Sequence, residues 1–197
     1  MIGLLTGFAF ASGTFLPALR AIGSLLDFYS GVVALVALSL TVMIGLLATG
    51  RTVLAPRHRV RAQAVHRATA FVALAALVPH IAAQLVRHRL GAVQAFVPVS
   101  GRHLLGYGLG TAAFYLLVTA AASGIARGRF AGGRRPWAWR AVHLTAYAAW
   151  PPAVAHGLTA GRTPAPWVTA AYALCLGAVA LALAARPVLR PRERRAP

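Results

Sequence analysis

The sequence predicts an all-α membrane protein folded as a six-helix transmembrane bundle. Of its 197 residues, 59% are hydrophobic and only 11% are charged, whereas roughly a quarter of the residues in a soluble domain are charged. Uncharged stretches of about 20 residues, the length a helix needs to cross a bilayer, follow one another along the chain. Arginines stand between these stretches. These three observations place the chain among polytopic membrane proteins.

The hydrophobic segments divide the chain into three parts: an N-terminal segment (1–24), a membrane domain (25–186) and a basic tail (187–197). Residues 1–24 lack the basic start of a secretory signal and are predicted to form a first membrane helix, with a re-entrant or interfacial segment as the alternative. Five further spans are predicted: Phe28–Gly50, Ala68–Val86, His103–Ala126, Ala141–Gly161 and Thr163–Ala185. Helix is the expected conformation because lipid offers backbone groups no partner.

Charge gives the spans a direction. All 20 basic residues are arginine. The only acidic residues are Asp27 and Glu193, so the net charge is +18. Fifteen arginines lie in the zones 51–67, 127–140 and 186–195, and five lie on the opposite side. Cytoplasmic loops are the arginine-rich ones, so the tail is predicted to be cytoplasmic in a cell-membrane protein. The positive charge is explained by arginines that set the topology and contact lipid headgroups. Nucleic acid is therefore not expected as a partner.

Four histidines stand in or beside two of these spans. His66 and His80 are 14 residues apart, and His143 and His156 are 13 apart. At about 1.5 Å per residue each separation is roughly 20 Å, which fits within the ~30 Å hydrocarbon core. Both helices run from inside to outside, so His66 and His143 share an inner level and His80 and His156 an outer one. Ionisable residues in a membrane are candidates for function.

Haem explains two imidazoles at each level. Haem iron takes axial ligands on opposite faces of a large apolar disc. The sequence therefore predicts two b-type haems, with iron held by His66 and His143 inside and by His80 and His156 outside. The only cysteine is Cys175, so covalent haem attachment is excluded. Zinc is disfavoured because its ligands lie close together, and interhelical hydrogen bonding is the alternative for a single membrane histidine.

The helical phase is favourable for one pair only. Fourteen residues bring His80 to within about 40° of His66, whereas 13 residues turn His156 about 140° away from His143. Pro151 and Pro152 stand between the latter two and can change that phase by kinking the helix.

Several arginines are candidates for contact with haem propionates, which guanidinium groups bind well. Arg67 and Arg140 adjoin the inner histidines, and Arg102 and Arg162 lie on the outer side. Simple anchoring at the membrane surface is the alternative for each.

The histidine spacing occurs together with four motifs: Asp27-Phe-Tyr-Ser-Gly31, Val65-His66-Arg67, Trp139-Arg140-Ala-Val-His143, and Ala148-Ala-Trp150-Pro151 continuing to His156-Gly157-Leu158. In these features the chain resembles the ferric reductase-like transmembrane domain family over about residues 25–186. That family includes ferric reductases, the membrane half of NADPH oxidases and the haem subunit of methionine sulfoxide reductase systems. The resemblance implies a six-helix bundle with two b-type haems, moving electrons from the cytoplasmic to the outer face.

Well-known members of this family have a cytoplasmic domain that binds FAD and NAD(P)H, and this sequence shows no sign of its nucleotide-binding motif. No glycine-rich nucleotide fingerprint stands in these 197 residues, so FAD and NAD(P)H are not expected to bind to this chain. A separate reductase or a quinol is then the expected electron donor. Two alternatives stay open: a haem anchor subunit of a larger reductase, and a transporter or sensor that uses the histidines for protons or a transition metal.

Overall fold

The structure is a computed structural model that describes residues 13–49, 54–87, 93, 96–97, 104–131, 136–160 and 165–188. Within these ranges every regular element is helical, which confirms the all-α prediction for this part of the chain. The elements are α1 (Phe15–Thr49), α2 (Pro56–Val86), a π-helical turn (Leu104–Gly108), α3 (Leu109–Ile125), α4 (Arg127–Ala131), α5 (Pro136–His143), α6 (Thr145–Thr159) and α7 (Pro166–Val188).

Four helices are long and apolar enough to cross a membrane: α1, α2, α3 extended back to Gly106, and α7 as far as Ala185. Large apolar side chains point outward from them, and Phe71, Val78 and Leu174 are each at least 70% exposed. Small polar residues such as Ser39 are buried between helices instead. This distribution suits lipid, where close contact and hydrogen bonds, not burial of apolar surface, hold helices together.

The first helix crosses the boundary predicted between the N-terminal segment and the membrane domain. Helix α1 runs without interruption from Phe15 to Thr49, so the predicted boundary after residue 24 falls inside it. Residues 1–12, which make up the first half of the predicted N-terminal span, lie outside the described residues. Thirty-five residues make a helix of roughly 50 Å, well beyond the ~30 Å core of a bilayer. A helix of this length is longer than one crossing of the hydrocarbon core requires.

The predicted Ala141–Gly161 helix is wrong in one respect, because the chain forms two helices there. Helix α5 ends at His143 and α6 starts at Thr145. At the junction the Tyr147 N–H donates to the Leu144 carbonyl, three residues back, at 3.0 Å, instead of four residues back as in a regular α-helix. This local change of winding lies between the two histidines, in addition to the prolines that the sequence singled out. Pro151 and Pro152 lie within α6 without ending it.

Two antiparallel helix pairs form the frame. In the first, α1 packs against α2: the Thr41 hydroxyl donates to the Thr69 hydroxyl at 2.9 Å, and Gln84 Nε2 donates to an Asp27 carboxylate oxygen at 3.3 Å near the other end. In the second, α3 packs against α5 and α6, which follow one another along it and together form its partner. Helix α7 lies against α1 and α6 through a buried cluster that includes Leu35, Val154, Val168 and Tyr172.

Trp150 lies at the centre of the frame. It packs against all three buried apolar clusters, and its indole Nε1–H donates to the hydroxyl of Ser39, a fully buried residue of α1, at 2.9 Å. Ser39 in turn donates to the Leu35 carbonyl at 2.9 Å. This chain of hydrogen bonds ties α6 to α1 midway between the two histidine levels. These contacts give Trp150 a packing role between the helices.

Substitutions at Trp150 should separate the hydrogen bond from the packing. Trp150→Phe keeps most of the ring and loses one interhelical hydrogen bond, so we expect the free energy of unfolding in detergent to fall by about 0.6–1.7 kcal/mol. Trp150→Ala should cost about 3–5 kcal/mol, because it leaves a large cavity. Trp167, which is 49% exposed, provides the control, and Trp167→Ala should have a much smaller effect. Equal losses for the two Trp150 variants would contradict the assignment.

Candidate functional site

The structure brings the four histidines together in the pairs that the sequence predicts. The rings of His66 and His143 face each other with centroids 6.2 Å apart, and those of His80 and His156 do so at the same distance of 6.2 Å. We call these the 66/143 pair and the 80/156 pair. The planes of the two rings are inclined by 65° in the first pair and by 80° in the second. Despite their 13-residue spacing, His143 and His156 both face α2.

This separation matches one metal ion held between two imidazoles. A metal–nitrogen bond to histidine is about 2.0–2.1 Å, so two such bonds in line place the ring centres roughly 6 Å apart. A bare zinc site needs three or four protein ligands. The described residues contain no group of three or more histidine, cysteine or acidic side chains that could hold a metal. Haem iron requires only two protein ligands, and two is what each level offers.

Backbone carbonyls orient three of the four imidazoles. The Nδ1 atom of His66 lies 2.9 Å from the Thr41 carbonyl oxygen, that of His143 lies 3.1 Å from the Ala120 oxygen, and that of His156 lies 2.5 Å from the Gly106 oxygen. With the proton on Nδ1, each ring donates to its carbonyl and leaves the Nε2 lone pair free. Histidines that bind metals are held in this way, because the hydrogen bond fixes the tautomer and strengthens the ligand.

A glycine stands four residues after each of these carbonyls. They are Gly45, Gly124 and Gly110. A helical side chain leans back over the preceding turn, so a glycine at this position leaves the carbonyl open to an approaching imidazole. The contact is closest at Gly110, where a Cβ atom would lie 2.8 Å from His156, and it is 3.2 Å at Gly45 against His66. At Gly124 the distance to His143 is an ordinary 3.7 Å.

Sequence reasoning missed these glycines, although a signal was present. Gly31 and Gly45 are 14 residues apart, as are Gly110 and Gly124. That interval equals the one between His66 and His80. Each histidine level of the structure therefore contains two imidazoles and two glycines.

The fourth histidine departs from the pattern. The glycine facing His80 is Gly31, whose Cβ would lie 2.9 Å from His80 Nδ1, and the residue four positions earlier is Asp27. In the described part of the chain, His80 Nδ1 is buried without a hydrogen-bond partner. The Asp27 side chain is fully buried and accepts from Gln84, while Arg87, with a 37% exposed side chain, lies 3.4 Å from its second oxygen.

A cavity of about 490 Å³ adjoins the 80/156 pair. Its wall combines both histidines and Asp27 with apolar side chains from α1, α2, α3, α6 and α7, including Phe28, Leu77 and Phe114. Cofactor pockets typically span ~300–1,000 Å³ with mostly apolar walls and few polar groups. Its volume and lining are those of a pocket that could hold a mainly apolar group beside the two imidazoles.

The 66/143 pair has a different neighbour. Trp139 stacks on the His143 ring with centroids 5.2 Å apart and an interplanar angle of 17°. The Arg127 guanidinium lies 5.1 Å from the Trp139 ring centre on the indole face. Trp139 Nε1–H also donates to the Ser123 carbonyl at 2.9 Å, and the Ser123 hydroxyl lies 2.9 Å from His143 Nδ1. Trp139 and His143 are four residues apart in the sequence, a spacing that predicts such a contact on a helix.

The candidate arginines fall into two groups. Arg67 and Arg140 are exposed on α2 and α5, close in sequence to the 66/143 pair, and contact with a propionate stays a prediction for both. Arg102 and Arg162 lie outside the described residues.

No match to this chain is found among protein-family models, curated proteins or solved structures.

Proposed function

We propose that this chain is a transmembrane electron-transfer cytochrome of the ferric reductase-like kind, with two b-type haems. His66 and His143 would hold one iron, and His80 and His156 the other. The observation that carries the proposal is the pair of facing imidazoles at each of two levels, both with ring centroids 6.2 Å apart.

The surroundings of the histidines support haem over a bare metal ion. Carbonyl acceptors at three rings leave Nε2 free to bind iron. The cavity beside the 80/156 pair has mostly apolar walls, which suit a porphyrin. When bound, haem supplies one-electron redox chemistry. The protein positions the ligands, sets the local charge and keeps the two levels within reach of each other, roughly 20 Å apart along α2.

Arginine distribution gives the proposed direction. With the arginine-rich loops inside, the 66/143 pair is the inner site and the 80/156 pair is the outer one, in a cell-membrane protein with a cytoplasmic C-terminus. In this proposal α1, α2, α3, α5 with α6, and α7 are five spans of the bundle. The predicted sixth span, residues 1–24, shares residues 15–24 with α1 and is not proposed as a separate span. An inside-negative membrane potential favours outward electron movement, by ~2.3 kcal/mol per 100 mV for a full crossing.

The electron donor and acceptor follow from the same arrangement. Electrons would enter at the inner site from a separate reductase or a quinol, since FAD and NAD(P)H are not proposed to bind this chain. They would leave at the outer site for ferric iron, oxygen or an external protein. Whether the chain acts alone or as the haem subunit of a larger reductase depends on that donor.

Haem content tests the proposal directly. We expect the purified protein to contain two haems b per chain, measured as the pyridine haemochrome, and to show a dithionite-reduced minus oxidised spectrum of b type. A colourless protein from cells with ample haem would overturn the proposal. Metal- or proton-dependent transport by such a protein would favour the transporter alternative. A soluble partner that co-purifies and reduces both haems would identify the donor.

A further inference from the structure

The two sites differ in the charge that stands next to them. We propose that Asp27 lowers the reduction potential of the outer haem below that of the inner haem, by placing a buried negative charge beside His80. This inference rests on the proposed function and concerns the tuning of the same sites.

Asp27 occupies a position that is uncharged at the other three histidines. The equivalent residues, each four before a glycine that faces an imidazole, are Thr41, Ala120 and Gly106. Only at His80 does this position carry a carboxylate, and only there does the described structure leave Nδ1 buried without an acceptor. Asp27, Gly31, His80 and Gln84 all line the cavity beside the 80/156 pair. The carboxylate is therefore part of the outer site's wall.

Arg87 does not cancel this charge at the iron. Its guanidinium lies 3.4 Å from Asp27, but its side chain is 37% exposed, whereas that of Asp27 is completely buried. Interactions are weak in water and several-fold stronger in a protein interior, so the field inside the cavity is dominated by the carboxylate. A carboxylate near a ligating imidazole also makes the ligand more basic. Both effects stabilise ferric iron relative to ferrous iron.

The inner site has the opposite neighbour. The positive charge of Arg127 lies over Trp139, which stacks on His143. The direct acceptor for His143 Nδ1 is the neutral carbonyl of Ala120, with the Ser123 hydroxyl close by. Arg127 is exposed, so water weakens its field as it weakens that of Arg87, although its positive sign favours ferrous iron. The buried carboxylate of Asp27 therefore makes the larger contribution to the difference, with the inner haem the easier to reduce and the outer haem the stronger reductant toward an external acceptor.

Potentiometric titration of the full-length haem-loaded protein tests this. One electron from the titrant reduces each iron from Fe³⁺ to Fe²⁺, and the visible spectrum follows the ratio. We expect two components, and His80→Ala should abolish the lower one. Asp27→Asn should raise the lower component so that the ferrous-to-ferric ratio increases about tenfold at a fixed potential, equivalent to about 59 mV for one electron. Arg87→Gln should shift the same component in the opposite direction, because it removes the counter-charge. Arg20→Gln replaces another exposed arginine, on α1, and should shift neither.

Opposite signs for Asp27→Asn and Arg87→Gln separate electrostatic tuning from structural damage, since loss of the ion pair alone would affect both variants alike. Shifts of the same sign, a shift confined to the inner component, or an outer haem with the higher potential would each overturn the inference while leaving a two-haem cytochrome intact. A protein without haem would instead overturn the proposed function.

Discussion

Two double variants should lose different numbers of haems. We expect His80→Ala/His156→Ala to retain one haem per chain, because both substitutions fall on one level. We expect His66→Ala/His80→Ala to retain none, because each level then lacks a ligand. The reason is geometric: the facing rings are 6.2 Å apart within a level, while the levels are roughly 20 Å apart. The pyridine haemochrome of each purified variant measures the count without any need to resolve the two haems spectrally.

The control for these variants is His58→Ala, an exposed histidine on the same helix α2, which should retain two haems. Single substitutions should each leave one haem. If His66→Ala/His80→Ala kept one haem and His80→Ala/His156→Ala kept none, the ligands would be paired along helices instead of across them, and the assignment of levels would be wrong.

The pairing across helices could be predicted because it follows from quantities that a sequence contains. Rise per residue converts the spacings of 14 and 13 into depth, and the arginine count gives both helices one direction. The helical phase could not be predicted as well. The sequence pointed to Pro151 and Pro152, but the structure adds an interruption at Leu144 that arises from the local hydrogen bonding of Tyr147, for which the sequence has no strong signal.

The surroundings of the sites were harder to predict because they depend on contacts between distant segments. The 14-residue intervals from Gly31 to Gly45 and from Gly110 to Gly124 match the histidine spacing, but the contact that each glycine makes is known only from the imidazole opposite it. Asp27 stood out as one of two acids, but its partner Arg87 is 60 residues away in the sequence. The residues that position a histidine can be identified only once the fold is known, whereas the histidine itself can be recognised in the sequence by its chemistry.

Replacing a glycine that faces an imidazole with alanine should weaken haem binding more, the closer the added methyl group lies to the ring. We expect Gly110→Ala to weaken retention of the outer haem, since its Cβ would lie 2.8–3.1 Å from three atoms of the His156 ring. Overpacking of this kind costs about 1–3 kcal/mol, which corresponds to roughly 5- to 150-fold in affinity. Gly31→Ala, 2.9 Å from His80 Nδ1, should affect the same haem. Transfer of haem to an excess of apomyoglobin measures the loss.

Matched substitutions decide whether crowding is the cause. Alanine is favoured over glycine inside a helix by about 1 kcal/mol, so a loss of haem in Gly110→Ala cannot come from a weaker helix. Gly124→Ala meets His143 at an ordinary 3.7 Å and Gly177→Ala meets nothing within 4 Å, and both should retain two haems. If Gly110→Ala and Gly31→Ala released haem no faster than these controls, the imidazoles would have room that the structure does not give them. Close fit would then no longer explain the glycines at the outer level.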